Sequence, residues 1–81
     1  MLRPTAKEVI AMDDYKLLIK FDNGEIRIFN VDKLFSRKPF LTLKNKSIYK
    51  TVRLNGITVE WLEDIDICPD ELYYDSIPIE K

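Results

Sequence analysis

The strongest candidates for chemistry are three carboxylates, Asp64, Asp66 and Asp70, in an acidic stretch (63–71) that also holds Glu63 and Glu71. Hard divalent cations take several oxygen ligands, and such a stretch can supply them. It lacks the glycine turn and the closing bidentate glutamate of an EF-hand loop. The same residues read as a solvated acidic turn leading into a helix start, where negative charge is favoured. Cys68, the single cysteine, stands at that helix start, a position that lowers a thiol pKa. Its neighbours are carboxylates, which act the other way, so it is expected as a buried structural residue. No histidine occurs among the 81 residues. A Ser-His-Asp site is therefore impossible, and the usual general base, commonest metal ligand and pH switch are all missing. With two glycines there is no glycine-rich phosphate loop either. The expectation is a protein that is not an enzyme, with no catalytic residues, no cofactor and no metal site.

A second kind of chemistry is phosphate binding. Lys44, Lys46, Lys50 and Arg53, with Tyr49 among them, have the composition of a surface that contacts phosphates and stacks on a base. These residues belong to a strongly polarised charge pattern. Residues 32–53 hold seven basic side chains and one acidic, whereas residues 54–81 hold eight acidic and one basic. Residues 1–31 are balanced, and the net charge is −1. Two blocks of opposite sign neutralise one another if they fold together, so intramolecular pairing is the plainer expectation. A nucleic-acid-binding accessory role through the basic segment, 33–53, stands as the alternative.

The elements that must position these groups are legible from turns and alternation. Both glycines follow asparagine, and Asn-Gly between alternating apolar runs is a strong short hairpin signal. Asn23-Gly24 joins residues 15–22 to 25–30. A two-residue loop would set Phe21 opposite Ile26 and Ile19 opposite Ile28, putting Leu17, Ile19, Phe21, Ile26 and Ile28 on one buried face. Leu18 and Phe29 fall on the other face and keep it from being wholly polar. Asn55-Gly56 joins residues 47–54 to 57–62, with Leu54 opposite Ile57 and Val52 opposite Val59. Arg53, Thr58, Thr51 and Glu60 are then solvent-facing. Trp61 is expected as the largest core residue.

A strand over residues 7–12 precedes the first hairpin, with Asp13-Asp14 as the turn. The alternative, a helix started by the capping box Thr5-Ala6-Lys7-Glu8, is disfavoured by β-branched Val9-Ile10 and the short run. Asp32 can cap a short helix over 33–36 that Pro39 limits, and Pro69 starts a second short helix over 69–73. The fold class is α+β: one small antiparallel sheet of about five strands on two Asn-Gly hairpins, with one or two short helices, forming a single domain over residues 1–81. Residues 75–81 form a tail that either docks on the domain or serves as a handle for another chain. Within it Ile77 and Ile79, with Tyr73 and Tyr74 just before, are the candidate partner-binding residues. The longest apolar run is four residues, Val9-Ile10-Ala11-Met12, far below the roughly 20 that span a bilayer, and one thiol fits a reducing compartment. The expected setting is the cytoplasm, with no membrane partner.

The order of these features resembles a known family. The segments Asp14-Tyr15-Lys16-Leu17-Leu18-Ile19-Lys20-Phe21-Asp22-Asn23-Gly24-Glu25 and Phe40-Leu41-Thr42-Leu43 precede the closing Val59-Glu60-Trp61-Leu62-Glu63-Asp64-Ile65-Asp66-Ile67-Cys68-Pro69-Asp70-Glu71-Leu72-Tyr73. The pattern, over roughly residues 4–74, resembles the bacterial domain of unknown function 2442 family. The resemblance implies a small α+β domain with an antiparallel sheet. It implies no activity and carries over no catalytic residue. Members often lie beside genes for another small protein, an arrangement suggestive of toxin–antitoxin pairs. Some members are joined to a helix-turn-helix, a pattern these residues do not show. The expectation is a non-enzymatic protein-interaction module, antitoxin-like, with another small protein as partner and a homodimer through sheet edges as a further possibility.

Overall fold

The structure is a computed structural model that describes residues 3–62 and 64–79. Seven short strands form two antiparallel sheets, where the sequence suggested about five strands in one. The first sheet has the order β1-β2-β3-β7 and comprises β1 (Ala6–Met12), β2 (Lys16–Phe21), β3 (Ile26–Asn30) and β7 (Ile77–Pro78). The second has the order β4-β5-β6, from β4 (Arg53–Asn55), β5 (Thr58–Trp61) and β6 (Ile65–Asp66). Two 3-10 segments, Val31–Ser36 and Lys38–Lys44, and the helix α1 (Lys46–Tyr49) connect the sheets. Helix α2 (Pro69–Tyr74) leads into β7 and has Pro69 in its first turn, where the missing N–H costs nothing. Among the described residues no helix is long and apolar enough to cross a membrane. The α+β class stands.

Between β2 and β3 the loop is one residue longer than Asn-Gly alone suggests. Phe21 N donates to Glu25 O at 2.9 Å and Gly24 N to Phe21 O at 3.0 Å, so Asp22, Asn23 and Gly24 all lie in the loop. Gly24 alone has positive φ there, 93°, as in a three-residue loop whose last residue is left-handed. The register becomes Leu17 with Phe29, Leu18 with Ile28, Ile19 with Arg27 and Lys20 with Ile26. This slip corrects the face assignment: Ile26 and Ile28 stand on the side opposite Leu17, Ile19 and Phe21, and Arg27 takes a place on the core side.

The second hairpin also differs. Asn55 pairs with Thr58 and Leu54 with Val59, so the two loop residues are Gly56, at φ 63°, and Ile57. Thr58, expected in solvent, is buried, and its hydroxyl donates to Ile67 O at 2.6 Å. Ile57 and Leu54 are exposed instead. The strand expected from residue 47 begins only at Arg53, because Asn45 caps a helical turn: its Oδ1 accepts from Ser47 N at 2.9 Å. Pro39 does not simply end the helical segment before it; it lies in the first turn of the next one.

Both sheets close on one core in which Trp61, Tyr49, Phe29, Leu17 and Ile19 are fully buried. Trp61 is its largest member, as expected. The indole Nε1 donates to Tyr49 O at 2.8 Å. The Tyr49 hydroxyl lies 2.8 Å from Met12 O and 2.6 Å from Lys16 O, its one proton shared between them. That thread ties the second sheet, through α1, to both ends of the β1–β2 turn. Burial also raises the Tyr49 pKa to about 12, which keeps the hydroxyl protonated as a donor. The turn itself holds Asp14 and Tyr15 at φ 66° and 58°, a conformation L-residues adopt at a cost. Tyr15 is kept there by edge contacts to Phe35 and Tyr49, each at 5.1 Å, and by its hydroxyl donating to Lys44 O.

The loop makes a testable demand. A Cβ on Gly24 meets nothing within 4 Å, so Gly24→Ala is penalised only through its backbone. The expected loss is about 1–2 kcal/mol, read as a lowered midpoint in urea unfolding, and Gly24→Asn should lose less.

Candidate functional site

The register leaves the four-stranded sheet apolar on both faces. Its inner face enters the core. Across its outer face the pairings Ile10 with Leu18, Leu18 with Ile28, and Ile28 with Ile77 place four apolar side chains in one row across all four strands. Ile10 and Ile77, at the two ends of the row, are 54% and 57% exposed. On one side of the row stand Glu8, Lys20 and Ile26, with Ile79 continuing past β7 where its N–H donates to Ile26 O at 2.9 Å. On the other side stand Met12, Lys16 and Asn30. A shallow hollow of about 220 Å³ opens here, lined by Glu8, Ile10, Leu18, Lys20 and Ile26. A contiguous apolar patch of this kind, rimmed by charge, is the surface character of an interaction site.

The fourth strand of this face is fixed by a polar cluster. Arg27 Nε donates to Ser76 Oγ at 2.7 Å and Nη2 to Ser76 O at 2.8 Å, while Nη1 meets Glu25 Oε1 at 2.5 Å. The guanidinium lies over the Tyr73 ring, 4.4 Å from its centroid, a cation–π contact. Tyr73 in turn donates to Glu25 Oε2 at 2.6 Å and sets its ring edge-on to Phe21. So in the charged pair that a core face should refuse, each Arg27 nitrogen and each Glu25 oxygen makes a hydrogen bond, and the pair clamps the end of α2 and the start of β7 onto β3. Hydrogen bonds from Tyr73, Asn23 and Arg27 hold the Glu25 carboxyl down at about 2, and the bond to Glu25 pushes the Tyr73 pKa up.

Of the four candidate partner-binding residues, Tyr73 belongs to this clamp and is half-buried, and Tyr74 is exposed. Ile77 and Ile79 join the outer face, with Ile77 and Pro78 paired to β3. The basic set is divided. Arg53 pairs with Glu60 at 2.5 Å, Lys44 Nζ lies 5.7 Å from the Phe35 ring centre and Lys46 Nζ 5.6 Å from that of Tyr15. Arg53–Glu60 and Arg37–Glu71, at 2.8 Å, join the basic and acidic blocks, whereas Lys44, Lys46 and Lys50 have no carboxylate partner among the described residues.

The acidic stretch does not converge. Asp64 and Asp66 line a cleft of about 400 Å³ with Pro39, Phe40, Thr42 and Ile65, while Asp70 pairs with Arg3 at 2.9 Å. Among the described residues no three carboxylate or thiol groups come together as metal ligands, and Glu63 lies outside them. Cys68 is exposed, not buried as expected: it is the extended residue just before α2, and the neighbouring Ile67 and Leu72 fill the core.

A family model described as protein of unknown function (DUF2442) matches residues 6–78. The chain belongs to this family. The DUF2442 match begins at the first residue of β1 and ends at the last of β7, so it takes in both sheets, the Glu25–Arg27–Tyr73 clamp and every strand of the outer face. No curated protein and no solved structure matches the chain.

Residues Ile10, Leu18 and Ile28 were not legible as site residues because the two-residue loop assigned Ile28 to the core. The available signal was the surplus of apolar residues, Leu17-Leu18-Ile19 and Ile26, Ile28, Phe29, which no single face of two strands can absorb.

The clamp gives a pH dependence of definite sign. The folded-state pKa of Glu25 lies below the ordinary carboxylate value of 4.5, so its contribution is complete above that value and is lost as pH falls towards about 2. Urea midpoints measured from pH 6 to pH 2 should fall less steeply for Glu25→Gln than for wild type, with the difference confined to that acid window.

Proposed function

We propose that this DUF2442 chain is a non-enzymatic protein-interaction module of the bacterial cytoplasm, the antitoxin-like member of a two-component pair, and that it acts through the outer face of its four-stranded sheet. The observation that carries this reading is the apolar row Ile10–Leu18–Ile28–Ile77, exposed at its two ends and half-buried at Leu18 and Ile28. Apolar side chains aligned across four strands can be covered together by one partner, which regains about 25 cal/mol per Å² of apolar surface removed from water. The mechanism is occlusion: the rigid face seats on a partner's working surface and denies access to it. No reacting group is needed, in keeping with a sequence that contains no histidine.

The test compares tagged wild type with Ile10→Glu and Ile77→Glu as baits in lysate of the native host. Both side chains are more than half exposed, so the substitutions leave the core intact. One stoichiometric, nuclease-resistant protein should be retained by wild type and fall at least tenfold with either variant, about 1.4 kcal/mol or more of lost binding. Equal retention by all three baits, or retention that nuclease abolishes, overturns the reading.

A further inference from the structure

The geometry points to a self-modification site at Asn55-Gly56, where the asparagine side chain cyclises onto the next backbone nitrogen and loses its amide. The other Asn-Gly pair, Asn23-Gly24, is guarded against the same reaction by the clamp beside it. Neither statement draws on the reading of the outer face.

The chemistry needs only this chain and water. Gly56 N attacks Asn55 Cγ, a C–N bond forms, and the Cγ–Nδ2 bond breaks. The proton given up by Gly56 N leaves with the amide nitrogen as ammonia. Water then adds to one of the two carbonyls of the succinimide ring. Opening on one side yields aspartate, and opening on the other yields isoaspartate, in which the main chain runs through Cβ. Glycine favours the step because no side chain crowds the attacking nitrogen. At Gly24 and Gly56 alike, the place where a Cβ would stand meets nothing within 4 Å. Both pairs are exposed, so access to water does not distinguish them.

Hydrogen bonds do. Asn23 Nδ2 donates to Glu25 Oε2 at 2.6 Å and its Oδ1 accepts from Glu25 N at 3.0 Å, so both ends of that amide are held. The attacking atom there, Gly24 N, donates to Phe21 O at 3.0 Å. Glu25 is itself fixed by Arg27 and Tyr73. Turning the Asn23 amide carbon onto Gly24 N therefore breaks into the clamp. Asn55 has one side-chain contact: its Nδ2 donates to Glu60 Oε1 at 2.7 Å. Its Oδ1 and Gly56 N have no hydrogen-bond partner among the described residues. The Asn55 backbone pairs with Thr58, but this is the last pair of an exposed edge strand of three residues, and such ends open first. Conversion adds a negative charge and removes the donor that Glu60 Oε1 uses, so two carboxylates meet beside Arg53.

The test incubates the intact chain in mildly alkaline buffer, folded and in concentrated guanidinium chloride. Acidic products are followed by ion exchange, and the converted residue is located by peptide mass spectrometry. In the folded protein Asn55 should convert about tenfold faster than Asn23, whose additional hydrogen bonds must open first. In the unfolded chain, where both pairs are bare Asn-Gly, the two rates should converge. Asn55→Gln, whose longer side chain closes a ring far more slowly, should abolish the faster acidic product and leave the slower one. Equal rates in the folded protein, a faster Asn23, a folded Asn55 that stays intact while the unfolded chain converts, or a gap that persists on unfolding overturns the proposal.

Discussion

The four-stranded sheet depends on how many residues separate Phe21 from Glu25. With Asp22, Asn23 and the left-handed Gly24 between them, every side chain of β3 takes the opposite face from the one that a two-residue loop would give it. Phe29 enters the core, Ile26 and Ile28 leave it, and Glu25 and Arg27 acquire a place on the inner side. That last consequence demands compensation, because a charged pair at a core margin is unfavourable unless every hydrogen-bonding group is met. Tyr73 and Ser76 meet them, and so the end of α2 and β7 are drawn onto β3. One loop residue thus links the local turn to the closure of the sheet.

Much of this was legible in the chain. The turns at Gly24 and Gly56, the strand over β1, the helix start at Pro69 and the burial of Trp61 all follow from local chemistry: left-handed turn residues, β-branching, a proline in the first turn and the sheer apolar area of an indole. What could not be read was set by longer-range contacts. Asn-Gly marks a turn without saying whether the loop holds two residues or three, and only the cross-strand neighbours decide. The segment 47–52 alternates well enough for a strand. It turns helical at α1 because Asn45 caps it and because Tyr49 there reaches both carbonyls at the β1–β2 turn. Cys68 went the other way, to the surface, while Ile67 before it and Leu72 one helical turn after it fill the core.

The division of charge is also resolved only in three dimensions. The basic and acidic blocks meet at Arg37–Glu71 and Arg53–Glu60, and arginine rather than lysine serves at each. A planar guanidinium matches a carboxylate with two donors, as the paired contacts of Arg37 to both oxygens of Glu71 illustrate. The lysines of the same block are left to solvent or to aromatic faces, Lys44 over Phe35 and Lys46 over Tyr15. Arginines therefore do the internal binding of the two blocks.

The clamp between Arg27 and Ser76 spans 49 positions in the chain. β1, β2 and β3 form a meander whose contacts are local, and such contacts form early because little loop entropy opposes them. β7 follows the second sheet and α2 in the chain, so in synthesis it emerges after both. Three members of the row Ile10–Leu18–Ile28–Ile77 are then in place while the fourth is still absent. During synthesis the sticky surface is built in two instalments, and its last column arrives with the end of the matched region. A nascent chain therefore carries the apolar row without its fourth column until the residues of the second sheet and α2 have been made.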